Sequence, residues 1–111
     1  MGTLTSGPLS QLAILLARQF GAQDFVETGT FRGDTTRWAS GCFSRVSSIE
    51  MSEEYFREAS AALTGLTNVK LHRGDSATVL KEVVAELTGP AVFWLDAHAG
   101  EAILRLMSTA R

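Results

Sequence analysis

Four acidic residues in this 111-residue chain each close a short apolar stretch: Glu27 after Phe25-Val26, Glu50 after Val46 and Ile49, Asp75 after Val69 and Leu71, and Asp96 after Ala91 to Leu95. A carboxylate accepts hydrogen bonds from hydroxyl and amino groups and favours a nearby cation. Acids gathered at one edge would suit a ligand with those groups and would repel a phosphate. The first of them opens a glycine turn, Glu27-Thr28-Gly29-Thr30-Phe31-Arg32-Gly33. Glycine there allows unusual dihedrals and lets a ligand approach the main chain closely.

The elements that must position these residues follow from periodicity. Leu9, Leu12, Leu16 and Phe20 mark one helical face, expected to cover a sheet, and Gly21 closes that helix. Residues 24–28 read as the first strand, and Asp34, Thr35 and Thr36 open a helix after the turn. Trp38 and Cys42 are expected in the core on one face of it. RVSSIE, residues 45–50, is the second strand. Ser52 caps a helix with Glu53 and Glu54 in its first turn and Phe56, Ala59 and Leu63 as its apolar stripe. Val69 to His72 is the third strand, and Asp75 or Ser76 caps a helix in which Leu80, Val83, Val84 and Leu87 repeat at i, i+3, i+4 and i+7. AVFWL, residues 91–95, is the unbroken apolar run of a strand buried on both faces.

Strands alternating with helices predict an α/β fold, a Rossmann-like three-layer α/β/α domain with a mostly parallel sheet. Right-handed crossovers advance the first three strands in one direction, and the fourth returns to the other side of the first, giving the order 3-2-1-4. The four acids then lie at the carboxyl edge, beside the crevice where the winding reverses. One domain over residues 1–111 is expected, with a flexible lead-in at 1–8 and a terminal helix, or an altered end, at 100–111. Ile103, Leu106, Met107 and Ala110 carry the helical spacing there.

Composition narrows the function. With 45% apolar and 20% charged residues the chain reads as an ordinary globular protein. A net charge of −2 offers no basic field for nucleic acid, so a small-molecule ligand is expected. Cys42 stands alone, which leaves no internal disulfide or cysteine metal cluster and fits a reducing, cytoplasmic setting. The apolar run at residues 12–17 is too short to span a bilayer and lacks a basic flank, so neither export nor membrane insertion is expected. Met1, Gly2 and Ser6 match only the loose myristoylation pattern, and an ordinary start is the expectation. A dinucleotide fingerprint would need glycine where Phe31 stands, which disfavours a nicotinamide-dependent protein, and no Gly-Lys-Ser/Thr phosphate loop follows. An adenosine-bearing ligand without phosphate is left.

In order and spacing, E-T-G-T-F-R-G, SIE, GDS and LDAH resemble class I S-adenosylmethionine-dependent methyltransferases over residues 24 to about 98. The resemblance implies that Glu27, Thr28, Gly29, Thr30 and Gly33 hold the methionine part of the cofactor. It further implies that Glu50, with Met51 beside it, binds the ribose hydroxyls, that Asp75 and Ser76 meet the adenine, and that Asp96 lies near the methyl group. Asp96 or His98 could act as general base toward a hydroxyl acceptor. They could instead hold a divalent ion, although two ligands two residues apart are little to build on, and no metal is assigned. After the fourth strand the chain reads Asp96-Ala97-His98-Ala99 where many amino-directed members have Asn-Pro-Pro-aromatic, so a hydroxyl of a small molecule or sugar is the expected acceptor. A non-catalytic cofactor-binding module is the alternative.

Singly, each of these residues has a structural reading: turn glycines, a solvated acid, a helix N-cap. His72 is expected at the rim, without function. Family members continue with three further strands, whereas this chain stops 15 residues beyond Asp96. AVFWL would then be an open edge, expected to be covered by a second copy or a partner's strands, or else to leave the protein poorly soluble.

Overall fold

The computed structural model describes residue 5, residues 7–96 and residues 102–107. Most of the lead-in, including Met1, Gly2 and Ser6, lies outside the described residues, as do His98 and residues 108–111. Helix α1 (Pro8–Phe20) precedes β1 (Asp24–Thr28), α2 (Asp34–Ser40), β2 (Arg45–Glu50), α3 (Glu53–Ala62), β3 (Val69–Arg73), α4 (Ser76–Glu86), β4 (Ala91–Asp96) and β5 (Ala102–Met107).

The five strands form one sheet in the order β3-β2-β1-β4-β5. The first four run parallel, so the expected 3-2-1-4 arrangement is present. β1 sits at its centre with all five residues buried. Its alternation sends Phe25 and Val26 to opposite faces. Phe25 joins Ala13 of α1, Ala39 of α2, Phe43, Val46, Val92 and Trp94 on one side. Val26, Ile49, Ala91 and Phe93 pack with Val83 of α4 on the other. Asp24 and Arg45 pair at 2.8 and 2.9 Å and tie together the amino ends of β1 and β2.

Three expectations are corrected. The stripe Leu9, Leu12 and Phe20 does not cover the sheet: these residues are exposed, and α1 lies on the sheet through Ser10 and Ala13, with Ala17 against the core. Small side chains let the helix approach a layer already filled by Phe25 and Trp94. Cys42 is exposed rather than core. α2 ends at Ser40, so the i, i+4 relation to Trp38 has no helix to act through, and Phe43 takes the buried place.

The third correction concerns residues 102–107, which form a strand and not a helix. β5 pairs antiparallel with β4 from Asp96↔Ala102 to Ala91↔Met107. Residues 97–101 are too few for the crossover that a parallel strand would need. The open main-chain groups along β4 thereby find partners within the chain, without the second copy that an open β4 edge would call for.

Candidate functional site

Asp75 and the ends of β1, β2 and β4 bring the four acids to the carboxyl edge of the sheet. The turn after β1 is tight. Gly29 and Gly33 have φ of 82° and 91°, and Phe31 shares the left-handed region at 51°. Gly33 N–H donates to Thr30 O at 2.9 Å and closes the turn before α2. The left-handed φ favours glycine at Gly33, and a Cβ there would also crowd Leu63 Cδ1 at 3.0 Å.

Three consecutive residues of β2 grip three consecutive residues of this turn. Gly29 N–H donates to Ile49 O at 2.8 Å. Thr30 Oγ1 lies 2.6 Å from Ser48 Oγ, and Phe31 N–H donates to Glu50 Oε1 at 2.8 Å. A left-handed position is glycine's by preference; Phe31 holds it at φ 51° with its N–H bonded to Glu50 and its ring edge-on to Tyr55 at 5.5 Å.

Glu50 is 5% exposed. Its Oε2 accepts from Ser52 N–H at 2.9 Å, so each carboxylate oxygen takes one backbone donor. An oxygen with two lone pairs keeps one for a ligand, and here both oxygens are held in fixed orientation. Two hydroxyls on adjacent carbons match such an acceptor pair. Met51, next in the chain, is exposed.

Glu27 has a different setting. At 1% exposure it lies beneath the turn, where Oε1 accepts from Ser48 Oγ at 2.8 Å and from the hydroxyl of Thr36. Ser48 and Thr36 are fully buried and Thr30 nearly so. Ser48 has one hydroxyl proton and gives it to Glu27, so Thr30 donates to Ser48. The chain of bonds runs Thr30 to Ser48 to Glu27, with Thr36 donating from α2. Thr28 is buried as well, while Gly29 is half-buried.

Asp75 is exposed and caps α4, its Oδ2 accepting from Thr78 N–H at 3.1 Å and Thr78 Oγ1 at 3.3 Å. Among the described residues Oδ1 has no partner. Ser76 follows as the first residue of α4. Asp96 ends β4. Arg32 is exposed in the turn. His72 is half-buried on β3, and its Nε2 is enclosed with no hydrogen-bond partner among the described residues. Burial, and then the Lys70 charge, push its pKa down, against a smaller opposing pull from Glu86 and Glu82.

The sequence pointed to the acids and glycines but not to Ser48 or Thr36. The only signal for them was polarity: a serine inside RVSSIE and a threonine on the inner face of α2 must be hydrogen-bonded if buried. Among the described residues no three His, Cys, Asp or Glu side chains gather as a metal site, and no helix is long and apolar enough to cross a membrane.

No protein-family model matches the sequence, and no curated protein does. Solved structures do. TomG, an O-methyltransferase from Streptomyces achromogenes involved in tomaymycin synthesis and solved with S-adenosylmethionine (SAM), is similar at a TM-score of 0.65 and 27% identity, over 83% of this chain and 44% of TomG. An O-methyltransferase from Bacillus cereus in complex with SAH gives 0.61 and 23%, over 86% of this chain and 48% of that one. CalS10, a SAM-bound amino pentose methyltransferase from Micromonospora echinaspora, gives 0.57 and 19%, over 78% and 48%. The fold is that of SAM-dependent methyltransferases, and this chain spans less than half the length of each of these three.

Proposed function

We propose that this chain binds S-adenosylmethionine at the carboxyl edge of its sheet and serves methyl transfer to a hydroxyl of a small molecule or sugar. The observation that carries the reading is Glu50: a buried carboxylate whose two oxygens are each oriented by one backbone N–H, which leaves each with further acceptor capacity. Such a pair is suited to the two ribose hydroxyls, and Met51 flanks them. Asp75, through Oδ1, and Ser76 are the proposed partners of the adenine amino group and ring. The turn from Thr28 to Gly33 offers main chain to the methionine part, over Glu27.

The donor set fits the group. Carboxylates favour a sulfonium cation, whereas Phe31 stands where a pyrophosphate would need glycine. When bound, the cofactor supplies an electrophilic methyl group. The protein's task is then to hold an acceptor oxygen in line with it and to exclude water, which is where most of the rate arises. Asp96, with His98 two residues on, is the proposed general base for the acceptor hydroxyl. The similarity to two O-methyltransferases supports an oxygen acceptor, as does the Asp96-Ala97-His98-Ala99 sequence. A cytoplasmic location accords with this chemistry.

A thermal-shift and calorimetric panel with SAM, SAH and NAD tests the binding. Ligand at ~100 times its dissociation constant stabilises a fold by about 2.7 kcal/mol. SAM and SAH are expected to stabilise the protein and NAD is not. Folded protein that responds to neither adenosyl ligand refutes the reading. Methyl transfer to a panel of hydroxyl acceptors, lost in Asp96→Ala, separates an enzyme from a module that binds without turnover.

A further inference from the structure

We infer that Ser48 is a positioning residue for the methionine half of the cofactor, an inference that rests on the binding mode just proposed. Serine in the middle of a buried parallel strand gains nothing from packing, and its hydroxyl must be repaid by hydrogen bonds. Ser48 is wholly buried and has three polar neighbours: Thr30 Oγ1 at 2.6 Å, Glu27 Oε1 at 2.8 Å and Thr36 Oγ1 at 3.4 Å. It touches no open surface, so its effect on a ligand passes through what it holds. Its proton is given to the carboxylate of Glu27, and its oxygen receives the hydroxyl of Thr30. One side chain of β2 thus joins Glu27 of β1, Thr30 of the glycine turn and, at longer range, Thr36 of α2.

The neighbouring contacts divide the labour. Ile49 and Glu50 hold the turn through main-chain donors, at Gly29 and Phe31, and those bonds do not use the side chain of residue 48. Ser48 ties the side chain of Thr30 in the turn to β2. Losing it frees Thr30 and leaves Glu27 with one fewer donor, while Glu50 keeps both of its backbone partners. The adenosine half, which Glu50 and Asp75 would receive, is therefore insulated from Ser48. The methionine half, lying against the turn, is not.

Calorimetric titration with SAH and with 5′-methylthioadenosine, which lacks the amino-acid end, reads the difference. Ser48→Ala is expected to weaken SAH up to about tenfold, the cost of reordering the freed turn on binding, and to change 5′-methylthioadenosine less than about twofold. Ser48→Thr, which restores a hydroxyl, is expected to recover part of the SAH affinity. Thr30→Val removes the same link from its other end at constant volume and carries the test if Ser48→Ala does not fold. Equal losses for both ligands, or no loss for either, overturn the inference while leaving the proposed binding site intact. Wild-type protein that binds neither ligand overturns the site itself.

Discussion

Replacing Glu50 by glutamine changes one oxygen into an NH2 group, and the consequence can be worked from two bonds. The carboxylate receives Phe31 N–H at 2.8 Å and Ser52 N–H at 2.9 Å, one on each oxygen. An amide can accept only one of them; the other N–H then faces a second donor. At 5% exposure little water reaches the site to take its place. Leaving a buried donor unmet costs about 1–3 kcal/mol, which for a domain of this size lowers Tm by roughly 4–15 °C. The same change removes an ionised acceptor from the ribose hydroxyls, weakening SAH by about 1.5–3 kcal/mol, or roughly 10–150-fold. Thermal unfolding of the free protein and calorimetric titration measure the two effects separately. An unchanged Tm would refute the role of the two backbone bonds. Unchanged SAH affinity in folded Glu50→Gln would remove Glu50 from the binding site.

Gly33→Ala is expected to destabilise by about 2–4 kcal/mol, from the left-handed dihedral together with the 3.0 Å approach to Leu63 Cδ1; urea unfolding should show a smaller cost in a Leu63→Ala background, where the clash is relieved. Asp75→Asn keeps a good N-cap for α4 and should leave stability within about 0.5 kcal/mol while weakening SAH, whereas Asp75→Ala should lose about 1 kcal/mol of stability as well; equal SAH affinity in all three proteins would leave Asp75 only its capping role. For His72, the folded pKa lies below the unfolded value of 6.5, so the unfolded chain binds the extra proton first. Its contribution to stability is complete above that value and is lost as pH falls through it toward the folded pKa. His72→Leu should flatten this part of a pH series of unfolding midpoints, and an identical acid slope in both proteins would contradict the assignment.

Much of the frame could be read without coordinates because it depends on local rules. Gly21, Ser52 and Asp75 mark helix ends through their own backbone or side-chain chemistry, and they act in those places. AVFWL and DFVET declare buried strands by composition, and the right-handed crossover leaves few orders for four of them. The glycine spacing and the one acid near each strand end were likewise legible, since each requires only its neighbours in the chain.

Tertiary structure alone decided the rest. Periodicity says which residues of α1 share a face, but the closest approach to the sheet is set by volume, and Ala13 won over Leu12. Residues 102–107 have a helical spacing, yet the unpaired edge of β4 drew them into a strand. Above all, the site depends on register: Glu27 lies opposite Ser48 and Thr28 opposite Ile49 only because β1 and β2 pair as they do. Contacts between residues about twenty positions apart leave no periodic trace in a sequence. Chain order and strand pattern bring these acids to the carboxyl edge; the packing of β2 against the turn holds Glu50 with acceptor capacity to spare and buries Glu27 beneath.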